Sequence, residues 1–357
     1  MVKEMKQRDS FVDILKGIGI VSIVIGHSGV GAAAARFVYL YHLMIFFFAA
    51  GMVWNPQKYT DPYQYIGRQL KASVPLYVGY NLLFVWLHNL VARLHLLDVG
   101  LYGLPELVVN SSLALAFMQT ESLMGAMWFV PMFLLAKSFF AIAFTWAQRQ
   151  RVPAAAHGMV IVLFGAIGLY TNTMGMNIYY QMQTAFLGVP ILYLGYAFGR
   201  MRSKLTGLLH PVVCAVSAVS MMGFLRLNIG SIELSQEQII SPLLFYPVTV
   251  LGIVFCLSLA RLLQRCKVTE TVMAWLGTIS FHIMALHFAV FKCFDVVLAR
   301  LFGIPWQNAM AFPTAFSGVK FGMVYSLIGV AAPAVWILIV RMARKYIQQR
   351  SGSKPTQ

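Results

Sequence analysis

The stretch DILKGIGIVSIVIGH, residues 13–27, is largely apolar yet carries three ionisable residues: Asp13, Lys16 and His27. Lys16 and His27 are eleven residues apart. On a helix that is three turns plus about 20°, so the two share one face, about 16 Å apart along the axis. Asp13 lies one turn before Lys16 on nearly the same face. A lysine binds anions such as phosphate as a point charge. A histidine takes or gives a proton near neutral pH. Asp13 is placed to orient Lys16 or to offset its charge. A plainer reading stands beside this one, in which Lys16 snorkels to an interface and His27 is an interfacial histidine. His42 favours the chemical reading. It sits in YLYHLMIFFFAAG, the next apolar run, a short turn away from His27. Two histidines in adjacent runs suggest one shared polar pocket, where ionisable groups inside apolar segments usually function.

The elements that carry these residues follow from composition. Of 357 residues, 59% are hydrophobic and 11% charged, and the mean hydropathy is +0.73. A soluble domain carries about 25% charged residues. Apolar runs long enough to cross a bilayer recur from end to end. The expected fold is all-α: a polytopic membrane protein of about ten spans, at 11–29, 37–54, 73–91, 125–147, 153–171, 182–199, 206–225, 239–260, 271–291 and 319–340. The basic opening MVKEMKQR resembles a signal-peptide n-region, but a cleaved leader has no use for Lys16 or His27, so the first span is read as retained. A membrane domain is expected over 1–345, with a short cytoplasmic tail at 346–357. Cys214, Cys256, Cys266 and Cys293 form no Cys-x-x-Cys pair and read as small core residues rather than metal ligands.

The formal net charge is +16. Its distribution argues against nucleic acid, because the basic residues sit in short clusters between apolar runs. With the N-terminus in the cytoplasm, nineteen lysines and arginines fall on the cytoplasmic side and six on the other, and every cytoplasmic segment contributes. Both termini are therefore expected in the cytoplasm. Two long segments are expected outside, 92–124 and 292–318, and either is placed to border a site. No internal repeat is evident, which weakens an inverted-repeat transporter reading.

The stretches LKGIGIVSIVIGHS and YLYHLMIFFFAAGMVW together resemble the acyltransferase-3 family of bacterial membrane O-acyltransferases, and within it the fucose 4-O-acetylase-like branch. Arg68-Gln-Leu-Lys71 ahead of Pro75 resembles the family's Arg-x-x-Arg motif. MWFVPMFLLAK at 127–137 resembles its Trp-Phe-Leu span. LGTISFHIMALHF at 276–288 resembles a late Gly-x-x-Ser segment that closes on a histidine, here His287. The sequence also departs from the pattern. Lys16 and Lys71 stand where the family has arginine, Ala50-Gly51-Met52 replaces a Ser-Gly-aromatic motif, and no proline follows His42.

The resemblance implies an acetyl-CoA donor used from the cytoplasm, no metal, and transfer to a hydroxyl of a cell-surface or lipid-linked glycan at the bacterial inner membrane. It implies donor contacts from Lys16, Arg68 and Lys71, with Trp128 lining the donor path unless it is a packing aromatic. His27 is then the catalytic base, with His42 and Asp13 assisting and His287 at the acceptor. Membrane lipid is the remaining partner. A secondary transporter for a glycan or acyl compound is the competing reading, and a non-catalytic scaffold for glycan assembly a third.

Overall fold

The computed structural model describes residues 9–176, 178–236 and 238–350; the basic opening MVKEMKQR and the end of the tail, 351–357, lie outside them. The described residues form helices and turns, with one isolated bridge between Glu233 and Gln238. The chain runs α1 (Ser10–His27), α2 (Ala32–Tyr39), α3 (Met44–Met52), α4 (Pro62–Arg93) and α5 (Leu104–Leu115). A 3₁₀ turn at Ser122–Trp128 leads into α6 (Phe129–Arg149), α7 (Ala154–Thr173), α8 (Met182–Met201) and α9 (Pro211–Arg226). The last five are α10 (Pro242–Leu263), α11 (Lys267–Thr278), α12 (Ser280–Phe302), α13 (Trp306–Ala309) and α14 (Val319–Arg350).

Helix starts follow local chemistry. The Asp9 side chain accepts from the Phe11 N–H and caps α1. Asp61 does the same for α4, with Pro62 in the first turn where its missing N–H costs nothing. The helix α1 ends at Ser28–Gly29, where Gly29 takes φ +67°.

Among the described residues, nine helical segments are long and apolar enough to cross a membrane. Two expectations change. The seventh expected span, 206–225, is the sixteen-residue α9 preceded by a 3₁₀ turn at Thr206–Leu209. It is about 24 Å long, shorter than the ~30 Å hydrocarbon core. The ninth, 271–291, is broken at Ile279, and the crossing helix is α12, so Lys292 lies inside a helix rather than in an outer loop. Hydropathy is continuous through TVMAWLGTISFHIMALHF and hides that break. The second expected span is also interrupted, by a turn at 40–43 that carries His42. At the other end, α14 continues through Arg350, past the expected boundary at 345. The four cysteines form no disulfide.

Lipid tails are as apolar as leucine, so close packing rather than removal of water holds such helices together. The tightest join is between α1 and α11. A Cβ on Gly277 would run into the Asp13 carbonyl, and one on Gly17 into the Met273 carbonyl. Backbone cannot swing aside as a side chain does. Gly277→Ala is therefore expected to lose about 1–3 kcal/mol by overpacking, despite a gain of up to ~1 kcal/mol in helix propensity. Gly79 in α4 faces open space, so Gly79→Ala keeps the propensity gain alone. Thermal unfolding of the two purified variants should move in opposite directions.

Candidate active site

Two helices, α1 and α12, position the histidine pair. The start of α12 lies beside Lys16 of α1, and further along the two helices His287 meets His27. Ser280 and Lys16 line one cavity, Met284 and Ile20 the next. His27 Nδ1 lies 3.1 Å from His287 Nε2, with the rings stacked 5.3 Å apart and 10° from parallel. The other nitrogen of His287, Nδ1, faces the carbonyls of Ile283 at 3.1 Å and Met284 at 2.9 Å.

Those contacts assign the protons. Two carbonyls can only accept, so His287 Nδ1 carries the hydrogen and donates. In the neutral ring its Nε2 is then a lone pair. His27 Nδ1 must donate to that lone pair, which leaves His27 Nε2 without a proton. His27 Nε2 makes no hydrogen bond to any described residue, and His27 keeps partial exposure. The result is a half-buried imidazole whose Nε2 carries a free lone pair and whose other nitrogen is held by His287.

The surroundings are aromatic. Phe288 packs on His27 at 4.8 Å and on His287 at 4.2 Å, and Phe312 packs on Phe288 at 4.8 Å. Phe312 belongs to the segment 303–318, which closes over this end of α1 through the bond from Gly318 N–H to Gly29 C=O at 2.8 Å. A buried ion pair holds that segment. Lys292 Nζ donates to Asp295 Oδ2 and to the carbonyls of Ala309 and Ala311, each at 2.6 Å. Asp295 also accepts from the Ala315 N–H at 3.1 Å and from the Tyr325 hydroxyl.

His42 stacks on Tyr39 at 4.7 Å and is buried with Nδ1 unbonded. Tyr39 donates to the Gly26 carbonyl at 3.1 Å. A Cβ on residue 26 would meet the Tyr39 ring. Gly26 ahead of His27 is thus the space in which Tyr39 and His42 reach α1.

At the Lys16 end, a cavity of about 270 Å³ is lined by Lys16, Lys137, Gln69, Tyr65 and Trp54, among others. It shares Phe46, Phe133, Lys137 and Ser280 with a narrower space of about 110 Å³ that is bounded by Ile20, Phe129 and Met284. The two form a path along α1, polar at Lys16 and apolar toward the histidines. Lys137 Nζ is buried, donates to Gln69 Oε1 at 2.6 Å and lies 4.4 Å from the Phe133 ring. Lys16 is paired with Asp13 at 2.8 Å.

These positions revise several expectations. Asp13 lies fourteen residues from His27 on one straight helix, about 21 Å away, so it serves Lys16 and does not reach the histidine pair. Arg68 and Lys71 are exposed and line neither cavity; Tyr65, Gln69 and Ser73, four residues apart on α4, do. Trp128 is half-buried, edge-on to Phe129 at 6.4 Å, and lines neither cavity. Lys137 was visible in the sequence as a lysine inside an apolar run, but only the packing of α4 on α6 shows what it faces.

The path and the histidine pair suit transfer of a group from an anionic carrier to a nucleophile. A family model described as an acyltransferase domain, that of the acyltransferase-3 family, matches residues 9–340. The chain belongs to the acyltransferase-3 family. It is a multi-pass membrane protein and an acyltransferase that moves acyl groups other than aminoacyl. No curated protein and no solved structure matches it. Within this acyltransferase the match spans α1 through most of α14, so both the cavity path and the histidine pair lie inside the family domain.

Proposed function

We propose that the chain is an O-acetyltransferase of the bacterial cytoplasmic membrane. It takes an acetyl group from acetyl-CoA on the cytoplasmic side and delivers it to a hydroxyl of a cell-surface or lipid-linked glycan. The observation that carries this reading is the bare Nε2 of His27, three helical turns along one face from a cavity lined by two lysines.

The donor fits that cavity in kind. Lys16 and Lys137 supply two positive charges against the single carboxylate of Asp13, which suits phosphate, and the apolar continuation past Phe133 and Ile20 suits an uncharged arm ending in a thioester. Arg68 and Lys71, exposed on α4, are left for the outermost phosphate. His27 Nε2 takes the proton as the acceptor hydroxyl attacks the thioester carbonyl. The C–O bond forms, the C–S bond breaks, and His27 returns its proton to the departing thiolate. His287 has both ring nitrogens engaged, so its role is to hold His27 in the right tautomer rather than to contact the acceptor. His42 lies where it can meet the acceptor or assist the base. The same bare nitrogen can attack the thioester itself, so an acyl-imidazole relay is the variant of this mechanism.

Binding of CoA by calorimetry tests the donor site. Lys16→Ala and Lys137→Ala should each weaken it by about 1–3 kcal/mol, as for lost charge-assisted hydrogen bonds. Arg68→Ala and Lys71→Ala, at exposed positions, should cost under about 1 kcal/mol. Equal losses at all four positions, or none at the lysines, would remove the cavity from the donor path. Mass spectrometry of surface glycans from a deletion strain tests the reaction. The expected result is the loss of one acetyl mass from a defined glycan, and an unchanged glycan profile refutes the acceptor class.

A further inference from the structure

A second basic cavity lies away from the histidine pair, at the end of the bundle where α1 begins. It encloses about 490 Å³ and is lined by Arg202, Arg261, Arg265, His210, Ser203 and Thr206 with Leu209 and Pro211. Two stretches far apart in sequence build it: 202–211, from the end of α8 through the turn leading into α9, and 261–265 at the end of α10. Nothing in the acyl-transfer scheme uses it. Every charged group lining it is cationic. Arg202 is held by Asp9 at 2.8 Å, and Arg261 reaches Gln264 at 3.3 Å, while the guanidinium of Arg265 makes no hydrogen bond or ion pair to a described residue. His210 Nδ1 accepts from the Val212 N–H at 3.3 Å, so its Nε2 carries the hydrogen and is a further donor. The cavity thus offers guanidinium, imidazole and hydroxyl donors and suits a phosphate.

We infer that this cavity binds the phosphate headgroup of an anionic phospholipid from the leaflet at the basic end of the bundle. Two observations favour a lipid over a soluble phosphate. The cavity opens beside apolar side chains that face outward, among them Val212, Met201 and Leu262. Its floor is also the start of α9, which at about 24 Å is too short for the ~30 Å core. A short span draws the bilayer surface inward at that point, and a headgroup settling among these arginines occupies the depth that the helix leaves open. A general positive-inside cluster accounts for the sign of the lining but not for its concave shape.

Native mass spectrometry of the full chain, released from nanodiscs of phosphatidylcholine with or without phosphatidylglycerol, tests this. The expected result is selective retention of phosphatidylglycerol by the wild type and loss of about tenfold or more in Arg261→Ala/Arg265→Ala. Arg341→Ala/Arg344→Ala, which removes two basic residues of α14 outside the cavity, should retain the lipid. The single variant Arg265→Ala keeps the experiment readable if the double variant does not fold, since no side-chain hydrogen bond or ion pair of Arg265 is lost within the described residues; it should show a smaller loss in the same direction. Equal retention by wild type and Arg265→Ala, or equal loss in the α14 control, overturns the assignment. Glycerol 3-phosphate offers a similar anion without acyl chains. Its failure to displace the lipid at matched concentration supports the lipid as ligand, and complete displacement overturns it in favour of a soluble phosphate.

Discussion

Replacing His27 with alanine lowers acyl transfer by about 10²–10⁴-fold, the range for a lost general base, and leaves CoA affinity near wild type. The two halves of that result have separate causes. Lys16 lies three turns from His27 on α1, Lys137 faces the same cavity from α6, and both keep their contacts. The proton acceptor is gone, and neither ring nitrogen of His287 can replace it, since one donates to carbonyls and the other points at the vacated position. His287→Ala leaves the base present but free to rotate and to change tautomer, so its loss is smaller. Because the two act as one unit, the double variant is no slower than His27→Ala alone. Steady-state transfer from acetyl-CoA measures all three. Incubation with labelled acetyl-CoA and no acceptor leaves the wild type unlabelled if transfer is direct; label that disappears in His27→Ala selects the relay. Wild-type acylation by His27→Ala would exclude both mechanisms.

Breaking the buried pair that holds the segment 303–318 has the largest expected effect on stability. Lys292 and Asp295 are fully buried, and each is surrounded by partners suited only to its charged form. Lys292→Met leaves a carboxylate without its cation; Asp295→Leu leaves an ammonium against two carbonyls. Either change costs about 3–5 kcal/mol. Removing both charges in Lys292→Met/Asp295→Leu recovers part of that loss, since no lone charge remains. Thermal unfolding in detergent checks the order: wild type first, the double variant next, the single variants lowest. A single variant that melts with the wild type would show that the pair does not hold the segment.

The parts of this architecture that depend on local geometry were legible in the sequence. Lys16 and His27 share a face because helical rise and twist are fixed, and the structure keeps α1 unbroken between them. The all-helical, multi-pass fold follows from apolar run lengths alone. What escaped was set by contacts between distant segments. The break at Ile279 leaves no trace in hydropathy, yet it decides that α12 runs beside α1 and brings His287 to His27. On α4 the charged Arg68 and Lys71 drew attention as cations, whereas the inward face belongs to Tyr65, Gln69 and Ser73. Four-residue spacing relates those three to one another, but it does not say which face of a helix turns inward. Lys137 is a lysine in an apolar run, but its cavity exists only once α4 and α6 are packed.

The unbroken course of α1 has one more consequence. No proline, kink or loop intervenes between Lys16 and His27, so helical geometry fixes the separation of their backbones. The helix serves as a ruler. On the proposed reading it measures the donor before any bond is broken. A thioester whose anionic end and carbonyl are closer together than three turns can satisfy one station or the other, but not both. Selection among donors is then made by length, and the acyl pocket need only refuse what is too wide.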